Sequence, residues 1–166
     1  MRNIRAYFFH GLESELPSSK VDVMEQMGWE VGSHPMNYKS GEPYKLALEN
    51  VKKFKPDILV GSSLGGLTAR YLSSYLDIPV ILLNPAFPFK GYSMDFPARF
   101  GEFIPKAWVL LGEKDKTVDF IQNKKEMKGY GACISVNTHG HRTPKDIFKV
   151  FLESILRDVQ VEIDNG

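Results

Sequence analysis

Residues 57–67 read Asp57-Ile58-Leu59-Val60-Gly61-Ser62-Ser63-Leu64-Gly65-Gly66-Leu67, an apolar segment that runs into a Gly-x-Ser-x-Gly turn. The apolar run follows Pro56 and ends in Gly61, which predicts a short buried parallel strand. Apolar residues then recur at helical spacing as far as Leu76. A strand, this turn and a helix in that order hold a serine hydroxyl at the carboxyl edge of a sheet, as in hydrolases. The motif alone is weak, but its context makes Ser63 the candidate nucleophile.

The composition is that of an ordinary globular chain: 166 residues, 43% hydrophobic and 25% charged, with a net charge of +1. It predicts a single soluble domain over residues 1–166. The mixed charges provide no basic face for nucleic acid or an anionic membrane, and no apolar run is long enough to span a bilayer. A lone Cys133 excludes an internal disulfide, and the first residues do not resemble a signal peptide, so we expect a cytoplasmic protein.

Strand-like and helix-like patterns alternate along the chain. The predicted strands are 4–9, 29–34, 58–60, 80–83, 108–111 and 133–136. Helical patterns cover 19–27, 43–54, the segment after Ser63 and 117–127, and a last helix is expected to have Thr143 as N-cap and Pro144 at its first position. Residues 159–166 are expected to form a frayed, flexible tail. The alternation predicts a parallel sheet with helices on both faces.

Polar residues follow the last two predicted strands, at the sheet edge where ligands bind in open α/β folds. A serine nucleophile needs a histidine base and a carboxylate that orients it. Asp115 and Asp119 are the candidate acids, and Asp115 is favoured because Asp119 has a structural reason to stand in the first turn of a helix. His139 and His141 are the candidate bases. Gly140 favours His141, since it lets the loop turn back over the strand ends.

The oxyanion of the reaction needs backbone N–H donors. Leu64, the residue after the candidate nucleophile, is expected to supply one donor, and the loop after the first central strand supplies the other. Here that loop is His10-Gly11-Leu12, and the N–H of Leu12 is the expected second donor. His10 is expected to orient the loop.

Several motifs are spread over most of the chain: His10-Gly11 with Ser14, Ser18 and Lys20, the turn of residues 61–66, Asn84-Pro85-Ala86, the segment 112–119 and Gly140-His141-Arg142. With these motifs the chain resembles small α/β-hydrolases of the YqiA-like esterase family. The resemblance implies Ser63 as nucleophile, Asp115 as acid and His141 as base, in the chain order of the α/β-hydrolase triad. It also implies action on small carboxylic esters or acyl thioesters without a metal or cofactor.

The implied architecture is a minimal three-layer α/β-hydrolase fold. No strand pattern precedes Ile4, so we expect six parallel strands in the order 2-1-3-4-5-6. The insert of residues 85–105 is too short for a large helical cap and predicts a short lid over an open acyl site. Its aromatic residues Phe87, Phe89 and Tyr92 are expected to line the acyl pocket, with anchoring to the core or a dimer contact as alternatives.

Two other functions stay open at this level. One is an acyltransferase, in which an acceptor other than water takes the acyl group. The other is a ligand-binding module that keeps the hydrolase scaffold without turnover. The presence of all three triad residue types argues against the binding module, while the natural substrate and the oligomeric state are not specified by the sequence.

Overall fold

The structure is a computed structural model that describes residues 2–39, 41–87 and 105–166. All the predicted strands and helices are found within these residues, some with shifted ends. The strands are β1 (Arg5–Phe9), β2 (Glu30–Ser33), β3 (Ile58–Ser62), β4 (Val80–Leu83), β5 (Ala107–Gly112) and β6 (Cys133–Asn137). The helices are α1 (Ser19–Gln26), α2 (Pro43–Phe54), α3 (Leu64–Leu76), α4 (Phe120–Gly129) and α5 (Lys145–Asn165).

The six strands form one sheet in the order β2-β1-β3-β4-β5-β6, which confirms the predicted order. Every neighbouring pair is parallel, and Gly61 at the end of β3 lies opposite Phe9 on one side and Leu82 on the other. Because all the carboxyl ends point the same way, the loops that follow β1, β3, β4, β5 and β6 meet at a single edge. The candidate polar residues come from these loops.

The two faces of the sheet support two separate apolar cores. Alternate strand residues point to opposite faces, so the nearly continuous apolar strands fill both cores. One core packs α2, α3 and α4 against residues such as Phe9, Leu59, Leu82 and Val109. The other packs α1 and α5 against residues such as Phe8, Val60, Ile81 and Leu110. The result is the predicted three-layer arrangement.

The expected flexible tail of residues 159–166 is wrong. Helix α5 continues to Asn165, and Val159 and Ile163 are buried in the second core. These two residues continue the apolar stripe of Phe148, Phe151 and Ile155 at helical spacing. Polar residues such as Asp158 and Glu162 occupy the exposed face of this part of the helix, which explains why the segment reads as a tail.

The start of α5 also differs from the expectation. Pro144 occupies the N-cap position, and the helix begins at Lys145 without a side-chain cap. The hydroxyl of Thr143, the expected cap, lies 3.2 Å from Nε2 of His139 instead.

Residues 88–104, which hold most of the expected lid and include Phe89 and Tyr92, lie outside the described residues. None of the described helices is both long and apolar enough to cross a membrane.

Candidate active site

Ser63 stands between β3 and α3 in a backbone conformation that L-residues rarely adopt, with φ of 56° and ψ of −121°. Such a conformation costs about 1–3 kcal/mol and persists only where its surroundings enforce it. The N–H of Ser63 donates to the carbonyl of Leu83 at 3.0 Å, and its carbonyl accepts from the N–H groups of Ala86 and Gly66, both at 2.9 Å. These bonds hold the turn, which therefore presents the hydroxyl at the carboxyl edge of the sheet.

Two glycines of the motif let the strand and the helix approach each other. A Cβ on Gly61 would overlap the backbone of Gly65, and a Cβ on Gly65 would overlap the carbonyl of Phe9 in β1. Any side chain at these positions would push α3 away from the sheet. The sharp turn at Ser63 therefore depends on both glycines.

Ser63, His141 and Asp115 lie in one hydrogen-bonded line. Oγ of Ser63 is 2.8 Å from Nε2 of His141, and Nδ1 of the same ring is 2.8 Å from Oδ2 of Asp115. A carboxylate only accepts, so Nδ1 carries the proton and Nε2 is left to accept from the serine hydroxyl. The Asp115 side chain is 2% exposed and the His141 side chain 21%. The structure thus brings together the three residues that the sequence selects.

The two aspartates of residues 112–119, the acid loop, have different hydrogen-bond partners. Oδ1 of Asp115 accepts from the backbone N–H groups of Thr117 at 2.8 Å and Val118 at 3.0 Å, which leaves Oδ2 for His141. Asp119 is exposed and is the N-cap of α4, where its carboxylate accepts from the N–H of Gln122 at 2.8 Å. Asp119 therefore has the structural role that its position predicts.

The two histidines of residues 137–143, the base loop, also have different surroundings. His139 is buried, and its Nε2 contacts the Thr143 hydroxyl rather than Ser63. Burial lowers the pKa of His139 below its usual value, and this outweighs the opposite effect of the Asp115 carboxylate on that pKa. The ring is thus held neutral inside the loop, while His141 faces the nucleophile.

The expected oxyanion donors lie beside Ser63. A Cβ on Gly11 would be 3.2 Å from Cβ of Ser63, so the loop after β1 packs directly on the nucleophile. The N–H groups of Leu12 and Leu64 have no hydrogen-bond partner within the described ranges. Leu64 opens α3, and the first N–H groups of a helix have no partner inside it. Both groups are free to bind an oxyanion, and their role stays a prediction.

His10 holds this loop in place. Its Nε2 accepts from the N–H of Met36 at 2.8 Å, so the proton is on Nδ1, which donates to the Gly11 carbonyl at 2.7 Å. The hydroxyl of Tyr38 donates to the His10 carbonyl at 2.5 Å, and burial raises the pKa of Tyr38, which keeps that hydroxyl protonated. The loop that carries Leu12 is therefore tied to the segment after β2.

Phe87 is the expected pocket residue that the structure describes. Its ring packs on Tyr130 with the ring centroids 4.8 Å apart, next to the core on the α3 side of the sheet. Tyr130 follows the C-terminal end of α4, which runs away from the edge that carries Ser63. This contact fits the alternative of an anchor to the core. A substrate-binding role for Phe87 has no support from this contact and stays a prediction.

A cavity of about 410 Å³ lies between the segment after β2 and the start of α2. It is lined by His34, Pro35, Met36, Asn37, Gly41, Glu42, Pro43, Lys45, Leu46 and Glu49. None of the triad residues lines it, so its volume is no measure of an acyl pocket.

In the part of the chain that the structure describes, no cluster of three or more His, Cys, Asp or Glu side chains could hold a metal ion.

Asn84 is the residue at this edge to which the sequence assigns no role of its own. Its side chain is 1% exposed, and it reaches both the acid loop and the base loop. The available signal is its position: a lone polar residue directly after the apolar strand Val80–Leu83 in the middle of the sheet. Its position in the sequence does not reveal which loops it contacts, since those contacts depend on the order of the strands in the sheet.

The sequence profile of the uncharacterised protein family UPF0227, the family to which YqiA-like proteins belong, matches residues 7–102. This confirms the resemblance that the motifs indicate. No curated protein matches the chain in sequence.

Solved structures share the fold at low sequence identity. Est1E from Butyrivibrio proteoclasticus superposes with a TM-score of 0.74 at 14% identity, over 96% of this chain and 89% of its own. An α/β serine hydrolase without a lid from Xanthomonas campestris gives 0.66 at 16% identity, over 92% and 81%. The esterase domain of a Rhodothermus marinus protein gives 0.65 at 12%, over 92% and 84%. The chain therefore has the α/β-hydrolase fold.

Proposed function

We propose that this chain, which belongs to the uncharacterised protein family UPF0227, is a serine hydrolase that cleaves carboxylic esters or acyl thioesters. One observation carries the proposal: the unbroken line from Ser63 Oγ through the His141 ring to the buried Asp115 carboxylate, with both distances at 2.8 Å. Hydrogen-bond reach between nucleophile and base, with the base held by a third group, is the arrangement that activates a serine.

The proposed reaction has two stages. In the first, Oγ of Ser63 attacks the carbonyl carbon while Nε2 of His141 takes its proton, and the Asp115 carboxylate stabilises the imidazolium. The N–H groups of Leu12 and Leu64 would bind the oxyanion. His141 then gives the proton to the departing alcohol or thiol, which leaves an acyl group on Ser63.

In the second stage, a water molecule replaces the leaving group. His141 takes a proton from the water as it attacks the acyl carbon, and returns that proton to Oγ as the acid departs. The structural neighbours described as a serine hydrolase and an esterase domain support this choice of reaction, since they share the fold. The residues of the site, rather than the shared fold, determine the chemistry.

The test is hydrolysis of p-nitrophenyl esters of increasing acyl length by the wild type, by Ser63→Ala and by Ser62→Ala. Ser62 is the matched control, because it is the adjacent serine and ends β3 without contacting His141. We expect Ser63→Ala to lose turnover by at least about 10⁴-fold and Ser62→Ala to keep most of it. A fluorophosphonate should label the wild type and Ser62→Ala but not Ser63→Ala.

The outcomes separate the alternatives. Ester turnover that survives in Ser63→Ala would contradict the proposal. Transfer of the acyl group to an added alcohol or amine in preference to water would indicate an acyltransferase. A folded wild type that neither hydrolyses the esters nor takes the label would favour a binding module.

A further inference from the structure

Asn84 occupies the point where three loops of the site meet. It follows β4, the strand between β3, which leads to Ser63, and β5, which leads to the acid loop. Its side chain is 1% exposed, and its backbone has a positive φ of 40°, a conformation that asparagine tolerates better than most residues. The residue type and the backbone position are therefore compatible, and the amide is available for contacts inside the protein.

The amide group of Asn84 joins the acid loop to the base loop. Its Oδ1 accepts from the N–H of Gly112 at 2.7 Å. Its Nδ2 donates to the carbonyl of His141 at 2.7 Å and to that of Gly140 at 3.1 Å. One partner only donates and the other two only accept, so the orientation of the amide is fixed. A single side chain thus spans the two loops that carry the acid and the base.

The backbone around Asn84 holds the nucleophile as well. The carbonyl of Leu83, the preceding residue, accepts from the N–H of Ser63, and the N–H of Ala86 donates to the Ser63 carbonyl. Residues 83–86 therefore contact the serine turn through the backbone and the other two loops through the Asn84 side chain. Asn84 itself lies outside the acid loop and the base loop, yet its side chain bonds both of them.

We propose that Asn84 is a positioning residue that sets the distance between His141 and Ser63 by holding the backbone of the base loop against the end of β4. This rests on the proposed function, in which His141 is the base. Asn84 touches neither Ser63 Oγ nor the His141 ring, and acts through the main-chain carbonyl of His141.

Apart from the ring contacts of His141 with Asp115 and Ser63, the base loop is tied to the acid loop by backbone hydrogen bonds to its first half. The carbonyls of Asn137 and His139 accept from the acid loop N–H groups of Glu113 and Lys114. Gly140, which has the greatest backbone freedom, separates these ties from His141. The two bonds from Asn84 fall on Gly140 and His141 themselves, and without them two partly buried carbonyls lose this donor. A shift of about 1 Å in a catalytic group can cost about 10²-fold in rate.

The experiment compares Asn84→Gly, Asn84→Asp and Asn123→Ala with the wild type. Glycine accepts the positive φ and removes the amide. Aspartate keeps an oxygen for the Gly112 N–H but cannot donate to the two carbonyls. Asn123 is the matched control, since its amide is equally buried and bonds the Pro85 carbonyl at 2.8 Å without reaching the base loop. All kinetics are measured below each variant's melting temperature.

We expect kcat for a short p-nitrophenyl ester to fall about 10²-fold in both Asn84 variants, with KM changed much less and with fluorophosphonate labelling slowed in parallel. Asn123→Ala should lose melting temperature but keep kcat. Equal losses of kcat in Asn123→Ala and Asn84→Gly, or wild-type kcat in Asn84→Asp, would overturn the proposal.

A second readout does not depend on turnover. In proton NMR of the wild type and of Ser63→Ala, the Nδ1 proton of His141 should give a slowly exchanging low-field signal, because it is bonded to Asp115. The signal should be lost or broadened in Asn84→Gly and kept in Asn123→Ala. Its retention in Asn84→Gly would overturn the positioning role. If the wild type cleaves no ester, the proposed function fails, and this signal still decides whether Asn84 holds His141.

Discussion

The acid loop and the base loop each contain two candidates of the same chemical type, and they separate those candidates by different means. In the acid loop, Asp119 has a local structural role, because its side chain caps the helix that follows it. In the base loop, His139 bonds Thr143 of the same loop, whereas His141 reaches Ser63, 78 residues away along the chain. Asp115 could be chosen from neighbours in the sequence, and Gly140 favoured His141 in the same way, but the contact of His141 with Ser63 depends on the fold.

The largest expected effect comes from the base loop. We expect His141→Asn to lower kcat for p-nitrophenyl esters by about 10⁴-fold or more, because the serine loses the group that takes its proton. His139→Asn should cost much less, since the ring of His139 contacts Thr143 instead of the nucleophile. The measurement is kcat for both variants. Similar losses would remove the distinction between the two histidines.

The acid loop gives the next effect. Asp115→Asn should lower kcat by about 10⁴-fold at most, since asparagine cannot stabilise the imidazolium and favours the wrong tautomer of the base. Asp119→Asn should leave kcat nearly unchanged, because asparagine is also a good N-cap. Steady-state kinetics of both variants, with circular dichroism to check folding, test the comparison. An equal loss in the two variants would show that the wrong acid was chosen.

The smallest effect is on stability. Burial lowers the pKa of His139 in the folded protein, so between its usual value of about 6.5 and its folded value the unfolded chain binds the extra proton. Stability is therefore complete above that window and falls as the pH drops through it. The melting temperature of the wild type should decrease from pH 7.5 to pH 5.5 more steeply than that of His139→Asn. Parallel curves would contradict this assignment.

His34 should contribute to the same dependence of melting temperature on pH. Burial also lowers its pKa, with a further lowering by the nearby His10. Replacing it should flatten the same part of the curve, because the sign of the shift is the same. Unlike His139, it lies beside β2 and bonds the Tyr7 hydroxyl at 2.8 Å, so its replacement should leave the base loop in place.

Several features could be read from the sequence because their causes are local. The turn at Ser63 needs small residues at positions 61 and 65, and the glycines there mark it. The alternation of strands and helices predicted the parallel sheet, the resemblance implied its strand order, and the structure confirms both. The predicted start of a helix explained why an acidic residue stands at Asp119. For the turn and for the helix start, the residues involved are separated by only a few positions along the chain.

Other features were decided only by tertiary structure. The end of α5 stays helical because Val159 and Ile163 pack under the sheet, although the segment itself is polar. Phe87 packs on Tyr130, which follows the C-terminal end of α4. These outcomes depend on partners far along the chain, which local patterns do not specify.

The sequence by itself determined which residue types could form the site: a serine on a strained turn, then aspartates and histidines after later strands. The tertiary structure decided which of them meet, and it alone shows the contacts of Asn84, because its partners lie 28 to 57 residues away along the chain. The physical reason is that parallel strands bring distant loops to one edge, where the distances between side chains depend on the packing of the whole sheet.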